Sequence, residues 1–145
     1  MKIVLGCDHG AFHLKEKLKQ HLTDKGFIVE DFGTHSTESC DYPDYAQKAA
    51  KAVASGSYER GIVLCTTGIG ISIAANKVSG IRCALCTNTL MAKLTRQHND
   101  TNMLAIGAGI TGEMLSLAIV DVWLNTEFEG GRHQARVDKI MQIEN

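Results

Sequence analysis

The sequence has a single proline, few aromatic residues and almost no net charge, and each of these deficits narrows the class of protein. Only Pro43 interrupts its 145 residues and no Ser- or Gly-rich stretch suggests a linker, so we expect one domain over residues 1–145. Lys and Arg total 15 and Asp and Glu 16, a formal charge of −1 that argues against nucleic-acid or anionic-membrane partners. No apolar run is long enough to span a bilayer, and the opening MKIVLGCDHG predicts a strand rather than a secretory signal.

The five cysteines, an odd number spread over predicted strands and loops, argue against a disulfide framework and for a reducing cytoplasm. Cys83 and Cys86 have C-x-x-C spacing, but no second pair completes a structural zinc site, so we interpret both as core residues. Thiol redox chemistry or zinc binding through this pair is the alternative, and it predicts metal in the purified protein.

Apolar runs typical of strands alternate with helical patterns along the chain. Strands are predicted at residues 3–5, 27–29, 62–64, 81–85 and 103–106, and helices at about residues 11–25, 43–55, 69–78, 89–97 and 112–124. This alternation predicts an α/β protein, a three-layer α/β/α, Rossmann-like domain with a doubly wound, mainly parallel five-stranded sheet. Gly26 is placed to end the first helix and Thr111 to cap the last. The helix at 112–124 is apolar on nearly every face, which predicts either deep burial or an oligomer.

Residues 61–77, GIVLCTTGIGISIAANK, contain the strongest candidate site. The β-branched run at 62–64 predicts a strand buried on both faces, with Cys65 at its carboxyl end and a helix after the glycines. That edge of a parallel sheet faces the ligand crevice, and the amino end of a helix favours anions and thiolates. Cys65 is therefore predicted to be a base or nucleophile beside N–H groups that stabilise an oxyanion, although a strand cysteine is more often a core residue.

Counting positions excludes three familiar loops. Ile71 stands where a tyrosine-phosphatase loop has its arginine, and Ile73 where a dinucleotide fingerprint has its third glycine. No lysine followed by Ser or Thr comes after Gly70, as a P-loop requires. An anion or oxyanion site beside a thiol remains.

Asp8 and His9 follow the first strand and should lie at the same sheet edge as Cys65, where they suit sugar or phosphate contacts, although a plain polar loop fits equally well. Metal binding by Cys7, Asp8 and His9 is disfavoured, because adjacent residues of an extended segment point in alternating directions.

Polar residues near the C-terminus form a second group of candidates. His98 can act as acid or base near neutral pH, with Asn99 orienting polar groups, although a loop histidine is more often merely solvated. Arg132 and Arg136 are spaced i,i+4, so they share a face and can hold one phosphate if their segment is helical.

Five motifs, taken in order, resemble those of one family: GCDHG at residues 6–10, DYPDYA at 41–46, TGIGISIAANK at 67–77, RQHNDTN at 96–102 and EGGRHQARV at 129–137. Over nearly its whole length the sequence is similar to the type B ribose-5-phosphate isomerases, within a family of sugar-phosphate isomerases that includes allose- and galactose-6-phosphate enzymes. The resemblance implies an aldose–ketose isomerisation through a cis-enediolate, without metal or organic cofactor. It also implies a homodimer with shared active sites, and leaves open whether dimers pair into tetramers.

The resemblance further implies that Cys65 moves a proton between C1 and C2, and that His98 from the neighbouring chain assists ring opening. It assigns substrate contacts to Asp8, His9, Thr66, Thr67, Gly68, Ile69, Gly70, Asn99, Arg132 and Arg136, with Tyr42 as a further candidate. Among these, the resemblance implies that the loop at residues 66–70 donates hydrogen bonds to the enediolate oxygen. It implies that Arg132 and Arg136 bind the phosphate.

Two positions depart from the family pattern. Thr66 stands where glycine usually follows the cysteine, and Gly109 stands where a Gly-x-Arg segment usually has its arginine. The sugar therefore stays open between ribose 5-phosphate and an allose, galactose or tetrose phosphate. A non-catalytic module that binds sugar phosphates or nucleotides through the same loop is the alternative from another class.

Overall fold

The structure is a computed structural model that describes residues 1–144; Asn145, the last residue of the predicted domain, lies outside the described residues. Over residues 1–144 it contains five strands and six α-helices. The strands are β1 (Lys2–Cys7), β2 (Ile28–Asp31), β3 (Arg60–Cys65), β4 (Cys83–Leu85) and β5 (Met103–Gly107). The helices are α1 (Phe12–Asp24), α2 (Tyr42–Ala54), α3 (Ile69–Asn76), α4 (Thr89–Asn99), α5 (Glu113–Asn125) and α6 (Arg132–Gln142). No helix within 1–144 has both the length and the apolarity needed to cross a membrane.

Neighbouring strands are all parallel, in the order β2-β1-β3-β5-β4, so the predicted α/β fold with its doubly wound five-stranded sheet is confirmed. The chain runs outward from β1 to β2 and then places β3 on the other side of β1, so the winding reverses between β1 and β3. Ligands of such sheets bind outside the carboxyl ends of the strands at this switch point. Cys7 lies beside Leu64 there, so the residues that follow β1 and β3 border one crevice.

Alternate residues of each strand face the two helical layers, because successive side chains of a strand point to opposite sides. Leu64 packs with Leu18 and Trp123 on the side of α1, α4 and α5. Val63 and Cys65 pack on the other side, against α2 and α3. The Cys65 side chain therefore belongs to the α2–α3 side of the sheet.

The helix ends agree with the predictions in one case and correct them in another. Gly26 follows α1 at a φ of +90°, as predicted for a helix-ending glycine. The prediction that Thr111 caps α5 is wrong, because Gly112 is the cap residue. The N–H of Thr111 instead donates to the Gly107 carbonyl at 2.8 Å, which holds Thr111 in the turn after β5.

Helix α5 is less buried than its composition predicts. Its inner face contributes Ile119, Val120 and Trp123 to the core, whereas Met114 is 87% exposed and Leu115 is also exposed. Deep burial within one chain therefore does not account for the apolar residues of α5, and association with a second chain stays a prediction.

A buried ion pair joins α1 to the end of β2. Lys15 Nζ donates to Asp31 Oδ2 at 2.6 Å, and the lysine side chain is fully buried. Burial by itself would raise the pKa of Asp31, but the hydrogen bonds from Lys15 and the Gly33 N–H lower it overall. Burial likewise disfavours charge on Lys15, yet its hydrogen bonds to Asp31 and Glu16 raise its pKa overall. The pair fixes Gly33, whose carbonyl accepts the Cys7 N–H at the end of β1.

Lys15→Met is expected to lower the free energy of unfolding by about 3 kcal/mol at pH 7, because the buried Asp31 carboxylate keeps only the more distant basic groups of Lys19, at 3.5 Å, and His35, at 3.9 Å. The lowered pKa of Asp31 means that the pair stabilises the fold above the unfolded pKa of about 4, and that this contribution is lost as the pH falls through the folded pKa. The free energies of unfolding of Lys15→Met and wild type, measured with urea, should therefore become equal in strongly acidic buffer.

Lys17→Met is the matched control, since Lys17 is an exposed lysine of the same helix, and it should change stability by less than about 0.5 kcal/mol. Equal losses in both variants, or a loss at Lys15 that does not depend on pH, would contradict a stabilising buried pair.

Candidate active site

Cys65 ends β3, and its sulfur lies against the turn that leads into α3. Its residue is only 5% exposed, and Sγ accepts the Gly68 N–H at 3.1 Å. Gly68 has a φ of +77°, and a Cβ there would lie 2.6 Å from Leu85 Cδ1 and 2.8 Å from the Gly107 nitrogen, so only glycine fits. This glycine turns the chain so that a backbone donor meets the sulfur at the edge of the sheet.

Helix α3 begins directly after this turn. Thr67 Oγ1 accepts the Ile69 N–H at 3.2 Å, and the first N–H groups of a helix have no acceptor within it. Tyr42, at the start of α2, packs on the same loop, because a Cβ on Gly70 would lie 2.6 Å from Cζ of its ring. The structure therefore places the Gly68 N–H against Cys65 and Tyr42 against Gly70, while the binding of an oxyanion by residues 66–70 stays a prediction.

The other core thiols have surroundings that oppose ionisation. Burial raises the pKa of Cys7 to about 12 and that of Cys86 to about 11, and it raises the pKa of Cys83 as well. All five cysteines are free, and residues 1–144 contain no group of three or more His, Cys, Asp or Glu side chains placed to hold a metal ion. The core interpretation of Cys83 and Cys86 is thus favoured over redox or zinc chemistry, although Cys83 is only half-buried.

Asp8 and His9 lie at the carboxyl end of β1, where the Asp8 N–H donates to the Leu64 carbonyl of β3. Asp8 is buried, and its Oδ1 accepts the Gly10 N–H at 3.0 Å, which leaves Oδ2 for a ligand. Nδ1 of His9 accepts the Cys40 N–H at 3.2 Å, so the ring hydrogen of a neutral His9 lies on Nε2 and can be donated to a ligand oxygen. The sequence offered no signal for the Cys40 contact, which comes from a loop far along the chain.

A second cluster forms around the end of α4. His98 stacks on His133 of α6 with ring centroids 4.4 Å apart. Burial and the neighbouring His98 and Arg132 lower the pKa of His133, so the stack need not hold two positive charges near neutral pH. Since α6 begins at Arg132, the condition for Arg132 and Arg136 to share a helical face is met, and both are exposed. Asn99 ends α4 beside His98 and is also exposed.

Two arginines that the sequence did not identify hold the end of α4. Arg82 donates to the carbonyl oxygens of Asn99 at 3.0 Å and Asp100 at 2.6 Å. The buried Arg96 donates to the Asp100 carboxylate at 2.9 Å and to the Thr101 carbonyl at 2.6 Å. The i,i+4 spacing of Arg96 and Asp100 could have indicated a side-chain pair along a helix. The contact of Arg82 with the end of α4 depends on the tertiary fold and has no such indication in the sequence.

The two clusters lie at opposite edges of the sheet. The carboxyl-edge cluster comprises Asp8, His9, Tyr42, Cys65 and residues 66–70, and the amino-edge cluster comprises His98, Asn99, Arg132, His133 and Arg136. Strands β3 and β5 pair from Gly61 with Met103 to Cys65 with Gly107, a distance of about 13 Å along the strands. Helix α4 returns to the amino edge, where Arg82, just before β4, binds its last residue. His98 and Cys65 therefore do not meet within one chain.

Two cavities border these clusters without including Cys65. One of about 680 Å³ lies beside Asn99 at the amino edge and is lined partly by Ile81, Ile140 and Ile143. The other, of about 340 Å³, lies between α1 and the start of α5.

A doubly wound parallel sheet with a hydrogen-bonded thiol at its switch point defines an α/β enzyme suited to proton transfer on a small anionic molecule. Comparison with known proteins gives the family: a model described as Ribose/Galactose Isomerase matches residues 3–140. The chain is 52% identical over 143 residues to ribose-5-phosphate isomerase B of Escherichia coli, covering 99% of this chain and 96% of that protein. It is 42% identical over 141 residues to D-erythrulose-4-phosphate isomerase of Pectobacterium atrosepticum, covering 97% and 93%.

A solved structure, ribose-5-phosphate isomerase B of Clostridium thermocellum, matches with a TM-score of 0.98 at 57% identity, covering 99% of this chain and 97% of that one. The chain belongs to the ribose/galactose isomerase family and is an aldose–ketose isomerase. The resemblance carried by the five motifs is confirmed.

Proposed function

We propose that this protein interconverts ribose 5-phosphate and ribulose 5-phosphate without metal or cofactor, with Cys65 as the base. The observation that carries the proposal is the Cys65 sulfur, held by the Gly68 N–H at the amino end of α3. Removing a proton beside a carbonyl requires a base and donors for the oxygen that gains charge, and this loop supplies both. The pentose phosphate is supported by relatives named ribose-5-phosphate isomerase B, one of them 52% identical.

In the proposed reaction, the Cys65 thiolate takes the proton from C2 of the open-chain aldose. The C2 electrons form the C1=C2 bond of a cis-enediolate, and the charge on O1 is stabilised by N–H groups of residues 66–70 and by the Thr67 hydroxyl. The hydroxyl proton on O2 moves to O1, the thiol returns its proton to C1, and the carbonyl forms at C2. Asp8 and His9 bind the sugar oxygens, with Tyr42 beside them.

The complete site needs a second copy of the chain. In a homodimer that places the amino-edge cluster of one chain over the carboxyl-edge cluster of the other, His98 reaches the ring oxygen and Asn99 the sugar hydroxyls. Arg132 and Arg136 then hold the phosphate, whose binding energy keeps the reacting carbons in position. Exposed apolar side chains on α3 and α4, including Ile73 and Leu90, offer surface for this contact.

The proposed dimer leaves open whether dimers pair into tetramers. Since the mechanism uses Cys65 as a free thiol, we place the protein in the reducing cytoplasm.

A tetrose phosphate is the second candidate substrate, supported by the 42% identical relative named D-erythrulose-4-phosphate isomerase. Allose and galactose 6-phosphates are further alternatives within the same reaction type. A non-catalytic sugar-phosphate-binding module would use the same contacts but would leave the proton at C2 untouched.

Solvent exchange tests the proposal. In D₂O the protein should convert ribose 5-phosphate to ribulose 5-phosphate and place deuterium at the reacting carbons, as followed by proton NMR. Erythrose 4-phosphate, allose 6-phosphate and galactose 6-phosphate should react with lower kcat/KM. If deuterium entered none of these sugars, only the non-catalytic binding module would remain. If kcat/KM were higher for erythrose 4-phosphate than for ribose 5-phosphate, the tetrose phosphate would be assigned as the substrate instead.

A further inference from the structure

Asp100 ends α4 in a backbone conformation that favours glycine. Its φ is +46° and its ψ is +47°, and within residues 1–144 it is the single non-glycine residue with a positive φ. Helices commonly end on a left-handed residue, but this residue is usually glycine and sometimes asparagine. Other residues stay in this region when the surrounding structure holds them there, and they are concentrated at functional sites. Asp100 comes directly after His98 and Asn99 of the amino-edge cluster.

Two arginines hold Asp100 in this conformation, one through its side chain and one through its backbone. The buried Arg96, one turn earlier in α4, donates to the Asp100 carboxylate at 2.9 Å. Arg82, just before β4, donates to the Asp100 carbonyl oxygen at 2.6 Å from Nη2 and at 3.2 Å from Nε. These contacts from two different elements fix the point at which α4 ends.

The same network joins the end of α4 to the core. Arg96 also donates to the Thr101 carbonyl at 2.6 Å, and Thr101 Oγ1 accepts the indole N–H of the fully buried Trp123 at 3.0 Å. Stacking on His133 restrains the ring of His98 but not the backbone that carries it. The position of that backbone therefore depends on how the last turn of α4 is held.

We propose that Asp100 is a positioning residue for the opening of the sugar ring. Asp100 does not touch the substrate in this proposal. Its left-handed turn, held by Arg96 and Arg82, fixes the direction in which α4 presents His98 to the substrate bound by the partner chain. A displacement of about 1 Å in such a group can lower a rate by about 10²-fold. This inference rests on the proposed function, because it assigns a role to Asp100 in the same reaction.

Two measurements separate the positioning of His98 from a general loss of structure. Ribose 5-phosphate is mainly a furanose closed through O4, so it must open before it can isomerise. Ribulose 5-phosphate carries its phosphate on O5 and cannot close a furanose ring, so exchange of its C1 hydrogen with D₂O needs only Cys65 and the loop at residues 66–70. A displaced His98 should therefore slow the conversion of ribose 5-phosphate more than this exchange, whereas a damaged fold should slow both equally.

Asp100→Gly tests the role, and Asp100→Asn is the matched conservative variant. Glycine adopts the left-handed backbone without strain but has no acceptor for Arg96, which keeps the carbonyls of Thr101 and Thr126 as acceptors, so we expect this variant to fold. Asparagine tolerates the same backbone and keeps a side-chain oxygen for Arg96.

The measured quantity is kcat/KM for ribose 5-phosphate divided by the exchange rate at C1 of ribulose 5-phosphate, followed by proton NMR. This ratio should fall about tenfold or more in Asp100→Gly and stay near the wild-type value in Asp100→Asn. Equal slowing of both reactions in Asp100→Gly, an unchanged ratio in that variant, or the same fall in Asp100→Asn would overturn the proposal.

The NMR signal of His98 tests the geometry without turnover. Stacked rings shift each other's ring protons, so the His98 signal, assigned by its loss in His98→Gln, reports the stack on His133. The signal should move toward that of an unstacked histidine in Asp100→Gly and stay in place in Asp100→Asn, and an unchanged signal in Asp100→Gly would overturn the proposal. A wild-type protein that neither converts ribose 5-phosphate nor exchanges ribulose 5-phosphate would instead refute the proposed function, and this comparison would still show whether Asp100 positions His98.

Discussion

Replacing Cys65 by alanine is expected to lower the rate of proton exchange at C2 of ribose 5-phosphate by about 10³-fold or more, while sugar-phosphate affinity changes little. General bases contribute about 10²–10⁴ in rate, and burial raises the pKa of the core thiols Cys7 and Cys86 to about 12 and about 11, so neither can replace Cys65 as the base. Exchange is measured by proton NMR in D₂O, and affinity by calorimetry with ribose 5-phosphate. Near-normal turnover in Cys65→Ala would eliminate the mechanism.

Cys83→Ala is the control for this experiment. Cys83 begins the edge strand β4 and lines the cavity beside Asn99, but it belongs to neither cluster and should tolerate alanine with nearly normal turnover. This variant also tests the redox and zinc alternatives, which require Cys83 for activity. If activity were lost in Cys83→Ala and kept in Cys65→Ala, the assignment of the reactive thiol would be reversed.

The carboxyl-edge cluster could be predicted because its signals are local. A β-branched run at residues 62–64 predicts a buried strand, and the polarity of a parallel sheet then places Cys65 at the edge where ligands bind. Gly68 was recognisable as part of a turn, since a φ of +77° is open to glycine and strained for other residues. Asp8 and His9 follow from the same reasoning applied to β1.

What the sequence could not provide is contact between distant segments. Arg82 binds the carbonyl of Asn99 only because β4 and β5 are neighbours, and the Cys40 N–H reaches His9 across a loop with no periodic pattern. The sequence did not indicate that Gly10 and Gly109 matter, because both leave space for the side chain of Thr66. A Cβ on Gly10 would collide with Thr66 Oγ1, and a Cβ on Gly109 would lie 3.0 Å from Thr66 Cγ2. Such complementarity is a property of the folded sheet, and residue type alone does not reveal it.

Strand polarity also explains why the two clusters are apart. A helix that leaves the carboxyl end of β4 must return to the amino end of β5, so residues at the end of α4 lie at the edge opposite Cys65. The resemblance implies that His98 and Cys65 act in one reaction, with His98 supplied by the neighbouring chain. The separation of the two clusters in one chain supports that prediction.

Mixing two inactive variants should therefore restore activity. In a heterodimer of Cys65→Ala and His98→Gln, one site combines both substituted residues and the other combines both native ones. If equal amounts refold together and pair at random, half of the dimers are mixed and half of their sites are intact, so activity with ribose 5-phosphate should reach about a quarter of wild type. Each variant alone should fall below about a hundredth of wild type.

A same-cluster mixture is the matched control for this complementation. Cys65→Ala mixed with Thr67→Ala should stay inactive, because both substitutions lie in the carboxyl-edge cluster and every site then contains one of them. Recovery in this control would show subunit effects unrelated to site sharing, and no recovery with His98→Gln would place both catalytic groups in one chain. Since about 13 Å of sheet separates the two clusters in the monomer, we expect recovery only when the substitutions come from opposite edges.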